Sequence, residues 1–247
     1  MENRTWNGAP IPPAEITPCG HLTDTPEKFY LAACEEVDRI ASDIGLHKAT
    51  AILDIGCGAG RLPIGLLARQ SKFSFYLGID VARDRVDWCT KTLSPRDPRL
   101  HFQFLDMHNA RYNPAGQSAL DLALPPSSFD IIYLYSVFSH LVEADVRFYL
   151  DQIATLLRPG GVCFTTMFVA DGVPPVMENP AGFGPFKWSG PLHCVLYEIG
   201  HWHAMLESAK LKIVRELPHV NVDQQTGYFL VHADYHKGTA PALNGGD

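Results

Sequence analysis

The sequence predicts an α/β protein whose core is a mostly parallel sheet flanked by helices. The first observation is a series of short apolar runs. Ala51–Ile55, Phe75–Ile79, His101–Phe104, Phe129–Tyr135 and Val162–Phe168 read as buried strands. The second is what separates most of them: segments whose apolar residues recur at helical spacing, each long enough to cross a sheet. The third lies near the end. Lys212–Leu217 and Gly227–Ala233 follow one another with no helix between them, which suits an antiparallel return rather than a parallel crossover.

Residues 1–25, rich in Pro, Gly and Thr, read as an extended, flexible or lid-like lead. Pro26 to Ala41 is helical, with Phe29, Ala33, Val37 and Ile40 on one stripe. Thr25–Pro26 supplies an N-cap followed by a first-turn proline. After the strand Ala51–Ile55 come Gly56, Gly58 and Gly60 at alternate positions, then a helix from Arg61 to Arg69. Phe75–Ile79 ends at Asp80, Arg83–Thr92 is the next helix, and His101–Phe104 ends near Asp106. Residues 109–126 read as loop. Ala144 to Leu157 is a helix closed by Arg158–Gly161.

Residues 170–197 break the pattern. Gly and Pro recur through them, with Phe183, Phe186 and Trp188 interleaved, so a long loop or lid is expected rather than a regular element. Gly200 to Ala209 is helical. The tail, 236–247, is expected to fray. The domain reading is therefore one domain over 26–235 with an insertion at 170–197.

Composition narrows the function classes. The chain has 247 residues, 46% hydrophobic and 19% charged, which suffices for a sizeable core. Lys and Arg number 20 against 27 Asp and Glu, a formal charge of -7. That balance disfavours a generic nucleic-acid binder or a polybasic membrane binder. No apolar run is long enough to span a bilayer, and Met1–Pro13 has no apolar signal core. The six cysteines (Cys19, Cys34, Cys57, Cys89, Cys163, Cys194) form no C-x-x-C pair. A reduced, cytoplasmic protein without disulfide or zinc is the expectation.

The glycine loop carries the chemistry. Glycines between a strand and a helix let a ligand approach the backbone without a Cβ in the way. A nicotinamide site wants G-x-G-x-x-G, but its third glycine would fall on Arg61 counted from Gly56, or on Pro63 counted from Gly58. The spacing here is Ile52-Leu-Asp-Ile-Gly-Cys-Gly-Ala-Gly60, and acids close the next two strands at Asp80 and Asp106.

On these residues the chain resembles class I, Rossmann-like S-adenosylmethionine-dependent methyltransferases of the small-molecule type, over about residues 30–233. Leu124-Pro-Pro-Ser-Ser-Phe-Asp130 resembles the family's lead into its fourth strand, and Leu156-Leu-Arg-Pro-Gly-Gly161 its turn into the fifth. The resemblance implies seven strands in the order 3-2-1-4-5-7-6, with strand 7 antiparallel. It implies S-adenosyl-L-methionine as cofactor. Gly56, Gly58 and Gly60 would form the loop around its methionine part, and Asp54 would hold the amino group. Asp80 would take the ribose hydroxyls, Asp106 the adenine amino group, and Met107 would lie beside the ring.

The acceptor side is less legible. Ligands sit beyond the carboxyl ends of strands in such sheets. Where the acceptor is weak a base must take its proton, and histidine is the natural group. His140, in Tyr135-Ser-Val-Phe-Ser-His-Leu141, is the first candidate, as base or as the group that orients the acceptor; lining the cofactor pocket is the alternative. His193, in the insertion, is the second. His201, His203 and His232 read as surface or packing residues, and no histidine or acid cluster has metal-ligand spacing. Phe183, Phe186, Trp188 and Tyr197 could enclose a planar small molecule or simply pack the insertion. Tyr133-Leu-Tyr-Ser136 stands where the family's protein and RNA members carry Asn-Pro-Pro-Tyr. A small-molecule acceptor, with oxygen as the methylated atom, is therefore expected. Nitrogen or carbon methylation, or an RNA or protein substrate, are the alternatives. No membrane partner is expected, nucleic acid is disfavoured, and the assembly is read as monomer or homodimer.

Overall fold

The structure is a computed structural model that describes residues 4–17, 25–117, 121–184, 187–220 and 224–236. Cys19, Phe186 and the tail from 237 onward lie outside the described residues. The strands are β1 (Arg4–Trp6), β2 (Ala9–Ile11), β3 (Ala51–Ile55), β4 (Phe75–Asp80), β5 (Leu100–Phe104), β6 (Phe129–Leu134), β7 (Leu157–Ala170), β8 (Val176–Glu178), β9 (Val195–Glu198), β10 (Leu211–Leu217) and β11 (Thr226–His232). The helices are α1 (Pro26–Asp43), α2 (Arg61–Ala68), α3 (Arg83–Thr92), α4 (Glu143–Leu156) and α5 (Ile199–Ser208).

The main sheet runs β10-β11-β7-β6-β3-β4-β5. Numbered from β3 as the first strand, that is the expected order 3-2-1-4-5-7-6 read from the other edge. β11 pairs antiparallel with both β7 and β10, whereas β3–β4, β4–β5 and β6–β7 are parallel. The α/β class with an antiparallel seventh strand is thus present. The chain divides into two compact units, one ending at Leu105 and one beginning at Asp106.

In the first unit, the lead before α1 contains a β-hairpin. β1 and β2 are antiparallel about Asn7–Gly8, both at positive φ, the geometry of a tight two-residue turn. Ala9, Ile11 and Ile16 are buried. Thr25 caps α1, its hydroxyl accepting the Lys28 N–H at 3.2 Å. Phe29, Ala33, Val37 and Ile40 are buried, as the stripe predicted. α1 packs closely on α2 because Gly65 has no side chain: a Cβ there would run into the Ala33 carbonyl oxygen and lie 2.7 Å from Val37 Cγ2. Across this contact Arg61 pairs with the buried Glu36 at 2.5 Å. β3 is buried throughout.

In the second unit, β6 is almost wholly buried, and α4 turns Val146, Leu150 and Ile153 inward. β7 begins at Leu157, earlier than the apolar run that announced it. Its turn is absorbed by a register shift between Phe129 and Ile131 of β6. The insertion is not only loop. β9 extends the far end of β7 in parallel, and β8 pairs antiparallel with β9. Phe168, Cys194 and Leu196 form a small core beneath Val173, Met177, Phe183 and Trp188. Trp202 of α5 is fully buried, against Phe138 and Tyr228.

Candidate active site

The first unit carries the glycine loop and two of the acids. β3 delivers the chain to the loop, and the backbone N–H groups of Gly56 and Cys57 both donate to the Ile79 carbonyl, at 2.8 and 3.1 Å. Asp80, at the end of β4, clamps the loop. Its Oδ2 accepts the Gly58 N–H at 2.7 Å and its Oδ1 the Ala82 N–H at 2.8 Å. Gly60 then starts α2 from the left-handed region, φ 79°, and a Cβ there would lie 2.6 Å from Leu93 Cδ1. A side chain at that position would be strained in this backbone conformation and would have to displace Leu93.

Asp54 points into the same buried space. The Tyr76 hydroxyl donates to its Oδ2 at 2.6 Å. Burial pushes the Asp54 carboxyl up to about 8, opposed by the Tyr76 hydrogen bond and reinforced by the charges of Glu36 and Asp80. Burial likewise raises Asp80 above the usual carboxylate range, against the two backbone N–H donors and Arg85. Two buried carboxylates facing a bare-backbone loop make a cradle suited to a cationic ligand with hydroxyl groups. Each Asp80 oxygen still has a lone pair after accepting one N–H, so a diol can be held without breaking the clamp. A ligand ammonium is the natural counter-charge to Asp54. On that chemistry the residues fit the amino-acid and ribose portions of S-adenosylmethionine.

The second unit carries the remaining candidates. Asp106 is exposed. Asn113 and Gln117 donate to its two oxygens, at 3.2 and 3.4 Å. Met107 is buried, with the Tyr149 hydroxyl 3.9 Å from its sulfur. Asn109 is the hinge pin of this loop. Its Oδ1 accepts the Arg111 and Tyr112 N–H groups, each at 3.0 Å, and its Nδ2 donates to the His140 carbonyl at 3.1 Å.

His140 sits in a short 3-10 turn after β6, with its Nδ1 2.9 Å from the Leu192 carbonyl. A carbonyl only accepts, so Nδ1 carries the proton and Nε2 keeps the lone pair. The sequence alone placed such a group near neutrality. In the structure burial lowers His140 to about 4, the nearby Arg111 and His193 adding to the shift and the Leu192 hydrogen bond opposing it. His193 has its Nδ1 accepting the Ser189 N–H at 2.9 Å, and Trp188 packs edge-on 5.4 Å away.

The other histidines are placed outside this cluster. His201 pairs with Glu143 at 3.0 Å, and His232 Nε2 lies 3.1 Å from the Leu157 carbonyl. Among the described residues no group of three His, Cys, Asp or Glu could hold a metal, no helix is long and apolar enough to cross a membrane, and Cys34, Cys57, Cys89, Cys163 and Cys194 are buried thiols outside any disulfide.

Two features escaped the sequence. Tyr76 lies opposite Ile52 in the β3–β4 register, so it shares a face with Asp54 two residues on; period-two alternation was the available signal. Ser136 was noted only for what it replaces. It adopts φ 57°, its N–H donating to Thr166 Oγ1 at 2.8 Å and its Oγ accepting from Gln225 Nε2 at 2.9 Å. Thr166 in turn donates to Gln225 Oε1 at 2.7 Å. A non-glycine residue held in the left-handed region at a strand's carboxyl end is stored strain of the kind found beside ligand sites.

Comparison with known proteins agrees with this reading. The sequence pattern of a family described as a methyltransferase domain matches residues 53–163. A ubiquinone biosynthesis O-methyltransferase from Nitrobacter winogradskyi is 30% identical over 133 residues, 53% of this chain and 43% of that one. The chain spans about half the length of the curated relatives it matches. Among solved structures, a SAM-dependent methyltransferase from Aquifex aeolicus superposes with a TM-score of 0.54 at 18% identity, covering 84% of this chain and 93% of the other. The (4+2)-cyclase SpnF superposes with a TM-score of 0.55 at 21% identity, covering 78% and 62%. From the matched domain, the strand order and the glycine loop with its acids, the chain has the class I S-adenosylmethionine-dependent methyltransferase fold.

Proposed function

We propose that the protein transfers a methyl group from S-adenosylmethionine to the oxygen of a small molecule. The observation that carries the reading is the glycine loop held open by Asp80 beside the buried carboxyl of Asp54. S-adenosylmethionine, when bound, supplies a methyl group on a sulfonium and leaves as the neutral thioether S-adenosylhomocysteine. Asp54 holds the ligand ammonium with the oxygen that Tyr76 leaves free. Asp80 accepts from the ribose hydroxyls, and Gly56, Gly58 and Gly60 keep side chains out of the way. By the family resemblance Asp106 receives the adenine amino group and Met107 lies beside the ring.

His140 acts on the acceptor. Its Nε2 lone pair accepts the acceptor's O–H, and the proton passes to it as the new C–O bond forms. A base held near 4 is weak, and a base works best when matched to the group it deprotonates. It suits an acidic hydroxyl on an aromatic ring better than an alkanol. His193, one residue beyond the Leu192 carbonyl that orients His140, lies on the same acceptor side. The oxygen assignment also draws on the N. winogradskyi relative, whose name is that of an O-methyltransferase. The experiment is a mass-resolved product screen across small hydroxylated, amino and thiol compounds. A gain of one methyl on an aromatic hydroxyl is the expected result. Methylation only of nitrogen, carbon, RNA or protein would overturn the oxygen assignment.

A further inference from the structure

We propose that Arg111 forms an anion-reading subsite next to His140, so that the acceptor is a hydroxylated aromatic carboxylic acid. The inference rests on the proposed methyl transfer and names its substrate class.

The observations begin with Arg111 itself. Among the described residues no carboxylate lies within ion-pair distance of its guanidinium. Its Nε reaches only the Tyr112 hydroxyl, at 3.3 Å, and its Nη1 the Pro191 carbonyl, at 3.4 Å. Both are long, neutral contacts that leave the charge uncompensated. Yet the residue is not a loose surface arginine. It is partly buried, and Asn109 fixes its backbone while also holding the His140 carbonyl. Tyr112, the next residue, sets its ring edge-on to the His140 imidazole at 5.7 Å. From the opposite side comes the insertion: a Cβ at Gly190 would lie 3.9 Å from Arg111 Nη1, and Leu192 supplies the carbonyl that orients His140. Three segments distant in sequence thus converge on one spot.

Their donors and acceptors are complementary to one kind of molecule. The spot offers one fixed positive charge, planar and forked, and one lone pair on His140 Nε2. The Tyr112 ring stands edge-on beside His140. A guanidinium fork matches a carboxylate in two parallel hydrogen bonds, and a single charge matches a monoanion rather than a phosphate dianion. The insertion's Glu178, which would otherwise compete, accepts the Leu192 N–H at 2.8 Å. With the acid end on Arg111, a ring hydroxyl can face His140.

The test uses matched acid and methyl-ester pairs of hydroxyaryl probes: 3,4-dihydroxybenzoate, the corresponding cinnamate and a dihydroxynaphthoate. Binding is measured by calorimetry, with and without S-adenosylhomocysteine, for wild type, Arg111→Gln and Arg111→Lys. At least one acid should bind the wild type about tenfold or more tightly than its ester, the scale of a hydrogen bond to a charged group. Arg111→Gln should abolish that ratio by weakening the acid alone, while affinity for S-adenosylhomocysteine stays unchanged. Arg111→Lys should restore only part of it. Equal binding of acids and esters to wild type, no binding of any acid, or equal weakening of acid and ester in Arg111→Gln would each overturn the inference. Loss of S-adenosylhomocysteine binding in the wild type would instead strike the methyl-transfer reading. The acid-to-ester ratio measured without that ligand still answers for Arg111.

Discussion

At the scale of single residues, burial decides the chemistry more than residue type does. The place of His140 just after a buried strand was legible from Ser-His-Leu, but its protonation was not. The Leu192 carbonyl and the surrounding burial set it, and Leu192 lies 52 residues away. With His140 lowered to about 4, the acceptor kcat/KM at saturating S-adenosylmethionine should fall only as pH drops through about 4, rather than near neutrality. His140→Ala should lower kcat by about 10²–10⁴-fold while leaving S-adenosylhomocysteine affinity intact. A pH–rate profile of both proteins checks this, and parallel loss of cofactor binding would make the histidine a pocket wall. Asp54 makes the complementary case. Its folded carboxyl, held up to about 8, is largely protonated at neutral pH in the free protein. The folded state therefore binds more protons than the unfolded one between about 4 and about 8, and its contribution to stability falls as pH rises across that window. A bound ammonium reverses this by favouring the carboxylate. S-adenosylhomocysteine affinity should accordingly rise between about pH 6 and pH 8, and Asp54→Asn should be weaker and flat. Tyr76→Phe removes a hydrogen bond that favours the carboxylate, so its rise should shift to higher pH.

At the scale of elements, long periodic segments were legible and short ones were not. α1 could be read from its stripe and its Thr25 cap because eighteen residues repeat one signal. β1 and β2 have three residues each, too few for alternation to speak, although Asn7–Gly8 is itself a hairpin signal. β8 and β9 are hidden for the same reason inside a Gly- and Pro-rich stretch, and they form because β7 runs on past the apolar core and offers Phe168–Ala170 as a template. The insertion's aromatics first of all pack on each other, with Trp188 donating to the Phe183 carbonyl at 2.7 Å. Trp188→Ala should therefore raise the acceptor KM and also increase hydrogen exchange across 176–198, with cofactor affinity spared. Exchange confined to the mutated position would deny it a structural share. On the other unit, Gly65→Ala should cost about 1–3 kcal/mol by forcing α1 off α2, as overpacking does, and a urea titration reads it directly.

At the scale of the whole molecule, the alternation of strands with helices and the glycine loop were legible as local patterns, whereas the strand order came only with the family resemblance. The polar couplings were not legible. Ser136, Thr166 and Gln225 meet across separations of 30, 59 and 89 residues, which no periodicity announces. The same limit applies to Arg111, an ordinary loop residue until the insertion folds over it. The central claim is that this fold's cradle takes a methyl donor. Calorimetric titration of the purified chain with S-adenosylmethionine and with NAD tests it most directly. The account predicts micromolar binding of S-adenosylmethionine, little binding of NAD, and a loss of about 1.5–3 kcal/mol in Asp80→Ala. Tight NAD binding with no binding of the methyl donor would contradict it.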